Sequence, residues 1–371
     1  MPTILTINAG SSSVRFALVE SNGETIRKVA GEHVESHPSD RSGTLARFLS
    51  ANGSPRPAAV AHRIVHGGNR FVAPVRLDAS VARALEELTP LAPLHIPEAL
   101  AWGRTADEVL GSAVPQICVF DTAFFADLPR VASTYAIPKR LSERHGIRRF
   151  GFHGFAHKAL WRRWTALRPD LSEGGRLVTL QLGSGCSAAA IRRGAPLDTS
   201  MGFTPTEGLV MSTRSGDVDP GILLALQRRE GLDADALERL LDRESGLLGL
   251  SGSSGDMREL LADSGNPAAR LAIEVFGYRV RKCVGAYLAV LGGADGIVFG
   301  GGIGENAPEV RRLGLLNLTP IGVVLDEEAN RRAVGGDGRI SSDGSAIAVH
   351  VLVADESGEM AREAASVLST T

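Results

Sequence analysis

The stretch Asn8-Ala9-Gly10-Ser11-Ser12-Ser13-Val14-Arg15-Phe16 constrains the fold more than any other part of the chain. Thr3-Ile4-Leu5-Thr6-Ile7 reads as one strand and Val14-Arg15-Phe16-Ala17-Leu18-Val19 as a second. Between them stand a Gly and three hydroxyls, and a cation follows. Such a turn can aim backbone N–H and Ser O–H groups at phosphate oxygens, and Arg15 can add charge-assisted bonds. Turns of this composition are also ordinary hairpin loops, so the motif needs context. A third strand over about 25–34 follows the Ser21-Asn22-Gly23 turn.

The pattern returns in the second half. Leu177 to Leu182 reads as a strand, Gly183-Ser184-Gly185 as a turn, Cys186 to Arg192 as a strand, and Arg193-Gly194 turns again. A strand, small-residue turn and strand near the start of each half suggest a duplicated β core with two phosphate-facing hairpins. Between these lie an apolar strand at 114–121 that ends on Asp121 and a helical pattern over 78–89 closed by Pro90 and Pro93. Later, a long helical pattern spans 268–291. Asp295 to Phe299 is a strand, and Gly300-Gly301-Gly302-Ile303-Gly304-Glu305-Asn306 turns toward a helix near 308–315. A Gly-rich strand-to-helix turn lets a flat ligand lie against the backbone. Val349 to Val353 reads as a late strand and 356–368 as a closing helix.

A chain of 371 residues is long enough for two domains, each with its own core. A net charge of −2 gives no bulk electrostatic reason to expect nucleic acid or an anionic membrane as partner. Cys118, Cys186 and Cys283 form neither a zinc pattern nor a disulfide framework, which fits a reducing cytosol. The N-terminus enters a strand without the basic region and apolar core of a signal peptide, and no apolar run is long enough to span a bilayer. The expected location is the cytoplasm.

Several common sites are disfavoured. None of the four lysines (Lys28, Lys139, Lys158, Lys282) sits in a G-x-x-x-x-G-K-[ST] context. Gly183 to Ala188 fits the loose pattern G-x-G-x-x-A, but Gly194 and Pro196 come too soon for the crossover helix of a dinucleotide fold. His153 and His157 have the spacing of helical metal ligands, yet no third ligand of the usual type stands nearby. Arg63 follows a strand and precedes Gly67-Gly68, Asp121 ends a strand, and Arg214 lies in a small polar loop. Singly each suits a surface ion pair. With two phosphate-type turns they suggest phosphoryl transfer, two arginines neutralising the equatorial oxygens and a carboxylate holding magnesium or orienting the acceptor.

These residues lie within longer motifs: NAGSSSVRF (8–16), HRIVHGG (62–68), LAPLH (91–95), FDTAF (120–124), RRFGFHG (148–154), DTSMGFTPTEGL (198–209), STRSGDVDPG (212–221), ESGLLGLSG (244–252) and GGIGEN (301–306). In this order, nearly end to end, the chain resembles the acetate kinase family, of the acetate and sugar kinase/heat-shock 70/actin superfamily. The resemblance implies an α/β, two-domain, actin-like ATPase (ribonuclease H-like) fold with a duplicated β core and an interdomain cleft. It implies an N-terminal domain of 1–122 plus 357–371 and a C-terminal, nucleotide-binding domain of 123–356. The implied activity is reversible phosphoryl transfer between ATP and acetate, giving acetyl phosphate and ADP, with Mg2+ or Mn2+. It further implies a homodimer. A propionate or other short-chain carboxylate kinase, or a catalytically weakened nucleotide-binding relative, is the alternative.

Carried over residue by residue, the resemblance implies that Asn8 and Glu356 hold the metal, and that Ser11, Ser13 and Arg15 contact phosphates. Arg63 would bind the substrate carboxylate, Arg214 the transferring phosphoryl group, and His153 the transition state. Asp121 would be the catalytic carboxylate. Gly183, Ser184 and Gly185 would line the second phosphate loop. Asp256, Met257 and Arg258, with Gly302, Ile303, Gly304, Glu305 and Asn306, would form the adenosine pocket. Val65, Leu94, Phe152 and Pro205 would enclose the methyl group of acetate. The chain departs from the family in four places. Gln181 and Ser184 stand in a loop that usually reads H-L-G-N-G, Arg15 replaces a Lys, Ile96 an Asn and Phe125 a His. Gln181 keeps a hydrogen bond in place of the histidine but cannot carry charge, which puts turnover and phosphoryl donor in question.

Overall fold

Strands buried on both faces read as nearly unbroken apolar runs, because helices cover the sheet on each side. The computed structural model, which describes residues 1–10, 13–34, 39–53, 56–93 and 95–368, has such strands at the centre of two sheets. The chain divides into two compact units, Met1–Ala126 with Asp355–Thr371, and Asp127–Ala354.

The first unit holds β1 (Thr3–Ala9), β2 (Val14–Ser21), β3 (Ile26–Val34), β4 (Ala59–Ile64), β5 (Val75–Arg76) and β6 (Gln116–Phe120) in the order β3-β2-β1-β4-β6-β5. β1, β2 and β3 form an antiparallel meander, and β4 and β6 continue the sheet parallel to β1. The edge strand β3 carries Arg27, Lys28, Glu32 and His33 and is largely exposed, which discourages edge-to-edge pairing.

The second unit repeats this plan. Its strands are β7 (Arg176–Leu182), β8 (Cys186–Arg192), β9 (Ala195–Thr199), β10 (Gly296–Gly300), β11 (Gly338–Arg339) and β12 (Ala348–Val351), in the order β9-β8-β7-β10-β12-β11. An antiparallel meander is again followed by two strands parallel to the first, with a two-residue antiparallel strand at the edge. The duplicated β core expected from the two hairpins is therefore present.

Helices cover the sheets. Arg41–Ala51 and Ile96–Leu110 bring Phe48 and Trp102 onto Phe16, whose ring meets Trp102 edge-on at 5.2 Å. The closing helix Glu356–Leu368 packs on β1, β2 and β4. In the second unit Gly154–Leu167 packs on β7 and β10, and Pro267–Leu291 on β8.

Two helices differ from the sequence reading, and a third, Ile96–Leu110, was not read at all. The pattern over 78–89 is a helix only over Ala79–Glu86, capped by the Asp78 carboxylate, and a 3-10 turn follows at Thr89–Leu91. Pro97 does not break structure, because it sits in the first turn of Ile96–Leu110, where its missing N–H has no helical partner to lose. Gly301–Asn306, read as a turn, is itself a short helix that runs into Pro308–Leu315.

Candidate active site

In the first unit, the ends of the parallel strands gather the polar residues, the usual ligand position in open α/β sheets. Asn8 lies near the end of β1, Arg63 near the end of β4, and Asp121 directly after β6. Glu356 begins the closing helix, where its charge also favours the helix N-terminus. Arg63 donates from Nη2 to the Asp121 carboxylate and from Nη1 to Asn8 Oδ1 at 3.0 Å. Asn8 Nδ2 donates to Glu356 Oε2 at 2.9 Å. Four of the residues implied for substrate and metal thus form one connected network. Burial works against the Arg63 charge, but Asp121 and then Glu356 more than offset it, and the guanidinium is held more firmly protonated than usual.

Arg15 stands opposite Asn8 across the β1–β2 pair and is exposed. The Gly10 N–H donates to the Ser13 carbonyl at 2.8 Å. Val65 is buried beside Arg63 in sequence. Ser11 and Leu94 lie outside the described residues.

In the second unit His153 and Arg214 converge on the β7–β8 turn. A Cβ placed on Gly185 would lie 3.3 Å from His153 Nε2 and 3.5 Å from Arg214 Nη1, so both side chains face the turn at Gly185. Arg214 is partly buried and has no ion-pair partner among the described residues; its contacts are the Pro205 carbonyl at 3.4 Å and the Met211 sulfur at 3.8 Å. Burial lowers its pKa, with Asp242 and Cys186 opposing. A partly dehydrated guanidinium without an ion-pair partner among the described residues is a receptor for an anion. Gln181, next to this turn, leaves its buried Oε1 without a hydrogen-bond partner.

The loops that carry these groups are fastened by Arg149. Its Nη1 donates to the carbonyls of Thr199, Ser200 and Met201 at 2.9, 3.1 and 3.2 Å, and its Nη2 pairs with Glu207 at 2.5 Å. Tyr135 Oη donates to Glu207 and accepts from the Phe203 N–H. This ties the segment with Phe152 and His153 to the one with Pro205. Sequence reading gave Arg149 no role, although it stands in the motif RRFGFHG (148–154).

The residues implied for adenosine lie on two segments of the same unit. Asp256 caps the helix Met257–Ala262 and pairs with exposed Arg258, which holds its carboxyl below the usual range; Met257 is buried. Gly302 has nothing within 4 Å of a notional Cβ, so its backbone is open to a flat ligand. Glu305 instead turns back, Oε1 accepting from the Gly301 N–H at 3.0 Å, and Asn306 Nδ2 donates to the Gly302 carbonyl at 2.9 Å. A cavity of about 260 Å³ in this unit, lined by Arg149, Asp198, Glu207, Asp217, Lys282 and Tyr287 among others, contains none of the expected site residues.

Magnesium prefers oxygen donors and takes few protein ligands, leaving room for phosphate and water. The Asp121 and Glu356 carboxylates and Asn8 Oδ1 make such a set, so the residues fit a hard divalent cation. The pair His153 and His157 does not hold a metal in this arrangement. His157 uses Nδ1 on Thr179 Oγ1 at 2.7 Å and Nε2 on Ser187 Oγ at 2.8 Å.

Known proteins share this chain's sequence and fold. The model of the acetokinase family matches residues 44–362. An acetate kinase of Clavibacter michiganensis subsp. michiganensis is 42% identical over 98% of each chain, and one of Chloroherpeton thalassium is 40% identical over 97% of each. The crystal structure of Porphyromonas gingivalis acetate kinase superposes with a TM-score of 0.87 at 35% identity, covering 99% of this chain and 100% of that one. A propionate kinase from Francisella tularensis subsp. tularensis superposes with a TM-score of 0.88 at 33% identity, over 98% and 99%. With the family matched over most of its length and its fold shared end to end, this chain belongs to the acetokinase family.

Proposed function

We propose that the chain is an acetate kinase, interconverting ATP and acetate with acetyl phosphate and ADP. One observation carries the reading: His153 and Arg214 face the turn at Gly185 together, and Arg214 forms no ion pair with a carboxylate among the described residues. An arginine held this way waits for an anion.

The chemistry asks for little else. A carboxylic acid with a pKa near that of a Glu side chain is ionised at pH 7, so the nucleophile needs no general base. The barrier lies in bringing an anion to an anion, and cations and positioning lower it. Arg63 binds the acetate carboxylate. Asp121, buried and paired with Arg63, orients that guanidinium and is not a proton acceptor. Following the family resemblance, we assign Val65, Leu94, Phe152 and Pro205 to the methyl group. Ser11, Ser13, Arg15 and the Gly183–Gly185 turn bind phosphate oxygens, while Arg214 and His153 stabilise the transferring phosphoryl group. Asp256, Met257 and Arg258, with Gly302 to Asn306, receive adenosine. Asn8 and Glu356, with Asp121 beside them, hold magnesium, which when bound neutralises phosphate charge.

We read the chain as two actin-like domains, 1–122 with 357–371 and 123–356. The enzyme works in the cytoplasm, a reading supported by three unpaired cysteines. It pairs as a homodimer. Support comes from the helix Pro220–Glu230, which buries none of its residues although it carries Ile222 and Leu224, 51% and 50% exposed. Light scattering tests this, and a monomer at micromolar concentration contradicts it.

Propionate is the second reading, favoured by the likeness to the Francisella tularensis propionate kinase. One methylene in an apolar pocket is worth about 1–3 kcal/mol. The test compares kcat/KM for acetate, propionate and butyrate. We expect acetate to lead; a preference for propionate or butyrate overturns the choice of acyl group.

A further inference from the structure

His153 has an unusual backbone. Its φ of 59° and ψ of 32° lie in the left-handed region, where a non-Gly residue costs about 1–2 kcal/mol, and it forms the N-cap of Gly154–Leu167 without a side-chain cap bond. The ring is instead turned toward the β7–β8 turn. Its Nε2 faces Gly185, and its Nδ1 meets Ser187 Oγ at 2.9 Å.

Ser187 is not alone. It is fully buried on β8, and its hydroxyl also meets His157 Nε2 at 2.8 Å. The other nitrogen of His157 meets Thr179 Oγ1 on β7 at 2.7 Å. Two hydroxyls and two imidazoles therefore form one chain from the sheet interior to the site. His157 is completely buried, and burial first and the nearby His153 second lower its pKa to about 3, so it stays neutral with one N–H.

A neutral imidazole donates from one nitrogen and accepts at the other, so each bond in the chain fixes the next. Two directions satisfy every group, since a Ser187 hydroxyl accepting from both imidazoles would leave its own buried proton without an acceptor among the described residues. In one, Thr179 Oγ–H donates to His157 Nδ1, His157 Nε2–H donates to Ser187 Oγ, and Ser187 Oγ–H donates to His153 Nδ1. The His153 proton is then on Nε2, facing Gly185. In the other direction neutral His153 donates from Nδ1, and a lone pair faces the turn. A phosphoryl oxygen arriving beside Gly185 needs a donor and is repelled by a lone pair. Only the first direction serves it.

We propose that Ser187, backed by His157 and Thr179, is a positioning residue that keeps His153 in the tautomer with its proton on Nε2, facing the β7–β8 turn. The inference rests on the reading of His153 as a phosphoryl-stabilising group. No proton leaves the chain during the reaction. Ser187 acts only through His153 and touches no substrate.

The test joins a spectrum to kinetics. Protein labelled with 15N-histidine is examined at pH 8, and the His153 signals are assigned by their loss in His153→Gln. The proposal expects the proton on Nε2; a proton on Nδ1 overturns it, whatever the variants do. Ser187→Ala should mix the two tautomers and lower kcat about tenfold or more, leaving KM for ATP and acetate within about twofold. Ser187→Cys, which keeps a weak donor, should fall between. Unchanged kcat and tautomer in Ser187→Ala overturn the proposal. If Ser187→Ala does not fold, His157→Gln takes its place, and if neither folds the wild-type tautomer decides. A wild-type chain that transfers no phosphoryl group would sink the functional reading instead, and the tautomer would still be read independently.

Discussion

Arg214 and Arg311 make opposite predictions although both are withdrawn from water, and Arg214 is the sharper test. Its guanidinium is partly buried, its two contacts are a carbonyl at 3.4 Å and a sulfur at 3.8 Å, and no carboxylate pairs with it among the described residues. Neutral acceptors at such distances contribute less than the usual ~1 kcal/mol per hydrogen bond. Removing a cation from water costs several kcal/mol at full burial, and less here because the group is partly exposed. Arg214→Gln, which keeps much of the stem and removes the charge, should therefore leave stability unchanged or raise it by about 1 kcal/mol. For a unit of this size that is about 2–4 °C in Tm. A transition-state arginine in phosphoryl transfer is worth about 10³–10⁵ in kcat, or about 4–7 kcal/mol of barrier. The assay is urea unfolding beside single-turnover ATP formation from acetyl phosphate and ADP. A variant that loses more than about 2 kcal/mol yet keeps activity within tenfold would make Arg214 a structural residue and refute the reasoning.

Arg311 is completely buried, and it donates to the carbonyls of Gly304, Asn330 and Ala333 and to Asn330 Oδ1 at 2.6–2.8 Å, with burial lowering its pKa to about 10. Arg311→Met should cost about 3–5 kcal/mol by urea unfolding, since it strands four acceptors; a loss below about 1 kcal/mol contradicts this. Gln181→His should raise kcat about tenfold or more if Gln181 is a weakened donor in the second loop. An unchanged or lower kcat would mean that the site is built around the glutamine. Burial holds His62 at about 4 and His157 at about 3, against 6.5 for a free imidazole. Above pH 6.5 both states are neutral and stability is full. Below it the unfolded chain takes up protons that the native state refuses, so each histidine removes about 1.4 kcal/mol per pH unit as pH falls from 6.5 to about 4. Urea midpoints that stay flat between pH 6.5 and 5 contradict that neutrality.

The sheet plan was legible because β1 and β2, like β7 and β8, are short apolar runs on either side of a Gly and Ser turn, and such turns announce themselves locally. Arg63 and Asp121 stood out for the same reason, each at the end of an apolar strand, whereas the role of Asn8 came only with the family resemblance. The helix Gly154–Leu167 was not, since Gly154 looks like a weak point until His153 takes the left-handed conformation that precedes it. Ser187 was hidden among alanines on β8, and only a strand and a helix brought together join it to His153 and His157. Arg311 and Arg312 look alike in sequence. The first is sealed inside, and the second pairs with Glu309 on the surface. Side-chain direction on a helix depends on what the helix packs against, which a single local stretch does not contain.

One reaction tests the phosphoryl transfer most directly. Purified protein mixed with acetyl phosphate, ADP and magnesium should form ATP in stoichiometric amount with acetate released, and omission of magnesium should stop it. No ATP, from protein that is folded and binds ADP, would contradict the central claim and leave a nucleotide-binding relative without kinase activity.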